Sequence, residues 1–330
     1  MKSIFTLLFL LLSCELTAAE ADHYTFNDLP LRDESQKINA MANESLDIAT
    51  QKLNALGSCD NSVKSEKVLY KELTKYFSNH TKGKLVIDIL HEDSIAKRTI
   101  PLKESIYGTW SIFNGYLLGK KSAADSPLAL TAMIKMGDQV IGVDKLEHMF
   151  GMGQIYFKSY YLKGKKIRRV LKSGIAKEKT ILGGNILATG VFAYADLSAN
   201  FNGMRFWNHV LQKRDDILGK EHNLGPYVSC TEGSWVVNEK KAIDFNDYID
   251  ESMDESINCS KFASKKGLKK YKARMTKLNP SFACPMSQAT LNKMLKKYDV
   301  TTPKDRKQRP LSHWIINNKG LEKVSYFNEF

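Results

Sequence analysis

After its first twelve residues the chain has no apolar run that approaches the roughly 18 residues needed to cross a bilayer, so no transmembrane segment is expected. It has no G-x-S-x-G elbow, which argues against a serine hydrolase of that type. HExxH is missing, as are a phosphate-binding glycine loop and a dinucleotide fingerprint. C-x-x-C is also absent and the cysteine spacings are wide, which leaves structural zinc with little support, and no cofactor is expected. Acidic residues are the scarcer charge: 36 Asp and Glu stand against 49 Lys and Arg, for a formal net charge of +13. Such a surface attracts anionic polymers, although positive charge also serves solubility alone.

What is present begins with a leader. Lys2 precedes the apolar run Ile4 to Leu12, and small residues follow in LTAAEAD, the three-part layout of a secretory signal peptide. Ala19-Glu20-Ala21 is an A-x-A site, so residues 1–21 read as the leader and Asp22 as the first mature residue. A lipoprotein anchored through Cys14 is the weaker alternative, because Leu12 stands where a small residue is usual. Export makes the anionic partner an envelope polymer such as peptidoglycan or lipopolysaccharide rather than nucleic acid, with a periplasmic or secreted location. Four cysteines then remain, and an exported chain uses them as disulfides with three possible pairings. Cys259 with Cys284 and Cys59 with Cys230 is favoured: the first closes a modest loop, and the second ties the N-terminal part to the C-terminal part.

A hydrophobic content of 43% is ample for a packed core. The expected architecture is α+β, mainly α-helical with a small antiparallel hairpin. It forms one globular domain over residues 22–330, with a helical N-terminal part (33–80), a core (127–260) and a basic C-terminal part (261–330). Apolar spacing predicts helices over 33–56 and from Val63 to about Phe77, and KLVIDILHED reads as a strand. Two apolar runs flanking Gly137-Asp138 predict a hairpin within 127–143. A helix then starts at Asp144, its expected cap, and runs to about Lys163. Gly151 and Gly153 in it suggest close approach of a backbone or ligand. Basic KGKKIRR leads to a helix ending near Glu178. TGVFAYADLSANFNGMRFW reads as a turn entering a helix through Leu211, and residues 301–310 as an extended connection.

Asp144 and His148 are four apart, so on a helix they share a side, and a carboxylate beside an imidazole can orient it for acid–base work or bind metal with it. The bland alternative is a cap and a satisfied histidine. Glu147 points about 100° away from His148. Glu178, Asp196 and the Asp254-Glu255-Asn258 cluster place more polar groups on apolar elements, where burial is costly unless they are paired. Catalytic candidates are therefore Asp144, His148, Glu178 and Asp196, with Asn200, Arg205 and Glu255 as substrate contacts. A glycosidase would need two of these carboxyls about 5 to 9.5 Å apart.

GVDKLEHMFGMG, TGVFAYADLSANFNGMRFW and DESINCS together resemble a group of exported bacterial proteins of unassigned function that share a D-K-x-x-H core, here Asp144, Lys145 and His148. Glu147 departs from the small residue usual in that group. The resemblance implies a common fold and an envelope setting, and it implies no reaction. The expected function is a hydrolase acting on peptidoglycan or another envelope polymer. The alternatives are a non-catalytic protein that binds anionic wall or lipid through a basic face, and a metal-dependent enzyme built on Asp144 and His148.

Overall fold

The computed structural model describes residues 20–26, 30–110, 130–179, 190–301 and 309–323. Helix α1 (Ser35–Leu56) buries Ile38, Leu46 and Leu53 along one face and ends at Gly57. Helix α2 (Val63–Leu73) starts at Ser62, whose hydroxyl accepts the Ser65 N–H at 3.1 Å and so satisfies one of the donors left over at a helix start. The KLVIDILHED segment corrects the expectation of a strand: Lys84–His91 is helix α3. Leu85, Val86 and Ile89 are buried together, and Lys84 pairs with Asp88 one turn on at 2.6 Å. Its alternation of apolar residues fits both periods, and eight residues are too few to separate them.

The hairpin forms as expected. β2 (Met133–Met136) pairs antiparallel with β3 (Gln139–Gly142) across Gly137-Asp138, and β1 (Lys97–Arg98) flanks β2. Gly137 adopts φ +60°, a conformation that favours glycine. Residues 127–129 of that expectation lie outside the described residues, as do Gly183-Gly184 and most of the connection at 301–310.

Helix α4 follows β3 directly. It runs through residues 143–162 as α-helical Val143–Glu147 and Gly153–Phe157, each followed by a π-turn, His148–Met152 and Lys158–Leu162. Helix α5 (Ile167–Glu178) packs beside it, and β4 (Val191–Phe192) leads into α6 (Tyr194–Leu211), which is buried along almost its whole length. β5 (Val228–Thr231) and β6 (Ser234–Val237) form a second hairpin. β7 (Lys261–Phe262) pairs antiparallel with β4 and parallel with β8 (Glu322–Lys323), so the strands go beyond the one hairpin expected. Helices α7 (Lys265–Leu278) and α8 (Gln288–Lys297) complete a mainly helical α+β fold.

The centre of the molecule is the crossing of α4 and α6. A methyl group on Gly153 would lie 2.6 Å from the Gly203 backbone, and one on Gly203 would lie 2.1 Å from the Met149 carbonyl. The two helices therefore meet backbone to backbone, as the glycine at 153 suggested. Phe77, Phe150, Phe206 and Trp207 pack around the crossing, and the Trp207 indole donates to the Phe150 carbonyl at 2.9 Å. Disulfides join Cys59 to Cys230 and Cys259 to Cys284, each with Cα atoms 5.9 Å apart, in the favoured pairing. By loop-closure entropy the first, spanning 171 residues, stabilises by about 5 kcal/mol and the second, spanning 25, by about 3.5 kcal/mol. Among the described residues no helix is long and apolar enough to cross a membrane.

Candidate acid–base centre

Helix α4 places Lys145 toward α6, and its ammonium is fully buried. It donates to Asp144 Oδ2 at 2.7 Å, Asp196 Oδ1 at 2.6 Å and Glu255 Oε1 at 2.9 Å, so one lysine draws together the start of α4, the first turn of α6 and the segment before β7. One turn later His148 sets Nε2 3.1 Å from Asp196 Oδ2 and Nδ1 3.0 Å from Asn200 Oδ1. An amide oxygen can only accept, so Asn200 fixes a proton on Nδ1 and aims Nε2 at Asp196. Glu178, from the last turn of α5, meets Asp196 carboxyl to carboxyl. The Tyr156 hydroxyl faces Glu178 and Asn200. Gly174 leaves room for that hydroxyl, since a methyl group there would overlap it.

Four carboxyl groups thus share one ammonium and one imidazole, all nearly dry; the most open side chain, that of His148, is 12% exposed. Their proton affinities separate accordingly. Burial would raise Asp196, but His148 and Lys145 hold it well below the usual carboxylate range. Burial, then Asp196, lifts Glu178 well above that range, so of the two touching carboxyls Glu178 carries the proton. Burial raises Glu255 to about 8 against the pull of Lys145. Burial alone would lower His148, yet the Asp196 carboxylate lifts it to about 10. Asp144 Oδ1, Glu178 Oε1 and Glu255 Oε2 are buried with no hydrogen-bond partner among the described residues.

The structure brings together all four residues expected to be catalytic. Asp144 is not the cap of α4: Gly142 holds that position, and the Asp144 carboxylate serves Lys145. Two expected substrate contacts have other work, since Asn200 orients His148 and Glu255 holds Lys145. Arg205 lies apart. It is buried against Asp216 at 2.8 Å, in a cluster where His209 contacts Asp216 at 2.9 Å and Tyr248 at 2.7 Å. Glu147 turns away to His80 at 2.8 Å. Asp254 accepts Ser256 N–H at 2.7 Å in a local turn, and Asn258 donates to the Ser252 and Ile315 carbonyls.

Sequence reasoning missed Lys145 as the hub, although it stands inside the D-K-x-x-H string. It also missed His23, a buried imidazole within the field of Asp144 and Lys145. Asp144, His148 and Asp196 each bring a ligand atom to within 4.8 Å of the others, a spacing suited to a divalent cation. In this arrangement the positive charge between Asp144 and Asp196 comes from Lys145.

The three carboxyl groups bonded to one ammonium have that ammonium between them in place of a sugar ring, so the glycosidase arrangement does not describe this trio. A cavity of about 150 Å³ lies beside it, with Tyr156 and Gly174 in its wall and Lys165, Arg169 and Lys177 around it. No family description, curated protein or solved structure matches the chain.

Proposed function

We propose that this chain is an exported hydrolase of the bacterial envelope whose reaction is acid–base chemistry at His148, Asp196 and Glu178, acting on a small group of an anionic envelope component. The observation that carries this reading is the pairing of a protonated Glu178 with an ionised Asp196 that also holds His148. Two carboxyls driven apart in proton affinity by their surroundings are how a site keeps an acid and a base at one pH. Asp196, kept ionised, is the base; the His148 imidazolium balances its charge and holds it in place, and Glu178 is the acid. Lys145 holds Asp196 ionised and is a positioning residue. The cationic wall of the neighbouring cavity supports an anionic substrate, and the tight packing of the carboxyls favours a small reacting group over a glycan chain threaded between them.

The test uses purified envelopes as substrate and released soluble fragments as readout. Glu178→Gln keeps the shape and a hydrogen-bond donor but cannot transfer a proton. It is expected to lower release by about 10²- to 10⁴-fold while the melting temperature stays near wild type. Absence of release by the wild-type protein, or full release by Glu178→Gln, would overturn the reading. A large loss of stability in Glu178→Gln and His148→Gln with unaltered specific activity would make the cluster a structural lock.

A further inference from the structure

A second feature, independent of the acid–base centre, lies on the other face of α4. A groove of about 570 Å³ runs between α2, the loop before α3 and the second π-turn, within the size range of ligand sites. Five lysines line it: Lys67, Lys71, Lys75, Lys82 and Lys158. Lys67 and Lys71 are one helical turn apart and exposed. Among the described residues no Asp or Glu lines the groove. Of the acids of α2, Glu66 pairs with Lys213, and Glu72 pairs with Lys52 and with the groove lysine Lys75, which therefore carries its own counter-charge. Burial, then the neighbouring Lys163, lowers the Lys158 pKa from its ordinary value.

Between the lysines the surface is apolar. Tyr70 and Leu162 contribute, and Leu162 is 49% exposed. The polar side chains Thr74 and Gln154 are spent on each other and on Lys158: Gln154 donates to Thr74 Oγ1 at 2.8 Å and accepts from Lys158 at 2.7 Å. A glycan would find few free hydrogen-bonding groups here. An anionic head with a hydrocarbon part finds both of its complements.

We propose that this groove docks an anionic phospholipid, with the headgroup phosphate among Lys67, Lys71 and Lys158 and the upper acyl chain against Tyr70 and Leu162. The protein would then work at a membrane surface without spanning it.

Co-sedimentation of the full-length protein with vesicles tests this. Binding is expected to vesicles of phosphatidylglycerol mixed with phosphatidylcholine and not to phosphatidylcholine alone. It should fall as salt rises, because surface charges are screened. Lys67→Glu with Lys71→Glu should weaken binding by about tenfold or more, since each lysine near an anionic membrane is worth about 1 kcal/mol. Lys266→Glu with Lys269→Glu makes the same charge change on exposed positions of α7 and should leave binding within about twofold of wild type. Leu162→Ser changes no charge and should weaken binding through the apolar part alone. Equal losses from both lysine pairs would overturn the proposal in favour of overall charge, and full displacement by inorganic phosphate would reduce the groove to a simple anion site.

Discussion

Lys145 shows how one residue can be both a cost and an organiser. A buried ammonium is tolerated because three carboxyl groups surround it, and the ionised ones among them are tolerated because of the ammonium. The balance depends on pH in a direction that follows from the shifted groups. Glu255 has an ordinary value of 4.5 and about 8 in the folded protein. Between those values the unfolded chain releases the proton while the folded chain keeps it, so stability falls as pH rises through this window. His148 moves from 6.5 to about 10; its contribution is complete below 6.5 and is lost as pH rises through 10. Both groups therefore weaken the fold on the alkaline side. Glu255→Gln keeps an oxygen for Lys145 but cannot ionise. Its melting temperature should depend less on pH than that of wild type between about pH 5 and pH 8, a window set by the ordinary and shifted values. Parallel profiles in a melting series would show that Glu255 does not titrate in this range. The sequence showed Asp144 and His148 as a pair because a four-residue spacing on a helix is local. The meeting with Glu178, Asp196 and Glu255 is tertiary, and no spacing encodes it. Lys145 was overlooked because a lysine in a charged string ordinarily faces water.

At the scale of the element, the crossing of α4 and α6 decides where those side chains meet. Gly203→Ala would push a methyl group to 2.1 Å from the Met149 carbonyl, and neither backbone can yield without separating the helices that carry Lys145 and Asp196. It should destabilise by about 1–3 kcal/mol or more. Gly151 lies two residues from Gly153 on the same helix, yet nothing stands within 4 Å of a methyl group built there. Gly151→Ala should therefore be neutral or stabilising by up to about 1 kcal/mol, the helical advantage of alanine over glycine. Urea unfolding of the two variants checks the pair, and equal losses would contradict a crossing at 153 and 203. Sequence alone could not separate the two glycines, because both interrupt the same apolar run. The long helices α1 and α6 and the hairpin around Gly137-Asp138 were legible, since their periods repeat often or their turn chemistry is specific. α3 was not, because its short apolar pattern fits either period. The π-turns in α4 left no sequence mark beyond its glycines.

At the scale of the molecule, residues 20–24 fold into the interior. The Glu20 carbonyl accepts the Thr131 N–H at 3.0 Å, and Glu20 and Ala21 are fully buried. The Asp22 carboxylate accepts the N–H groups of Tyr24, Thr25 and Ile106 at 2.9 to 3.2 Å. Tyr24 bonds the carbonyl of Glu255, the residue that holds Lys145, so this segment buttresses the acid–base centre. Removing Glu20 and Ala21 would delete the bridge to Thr131, so a chain that begins at Asp22 is expected to melt lower than one that keeps those two residues. Melting curves of the two forms check this. Equal melting temperatures would show that the Glu20 bridge is dispensable, and the buttress would then rest on Asp22 and Tyr24 alone.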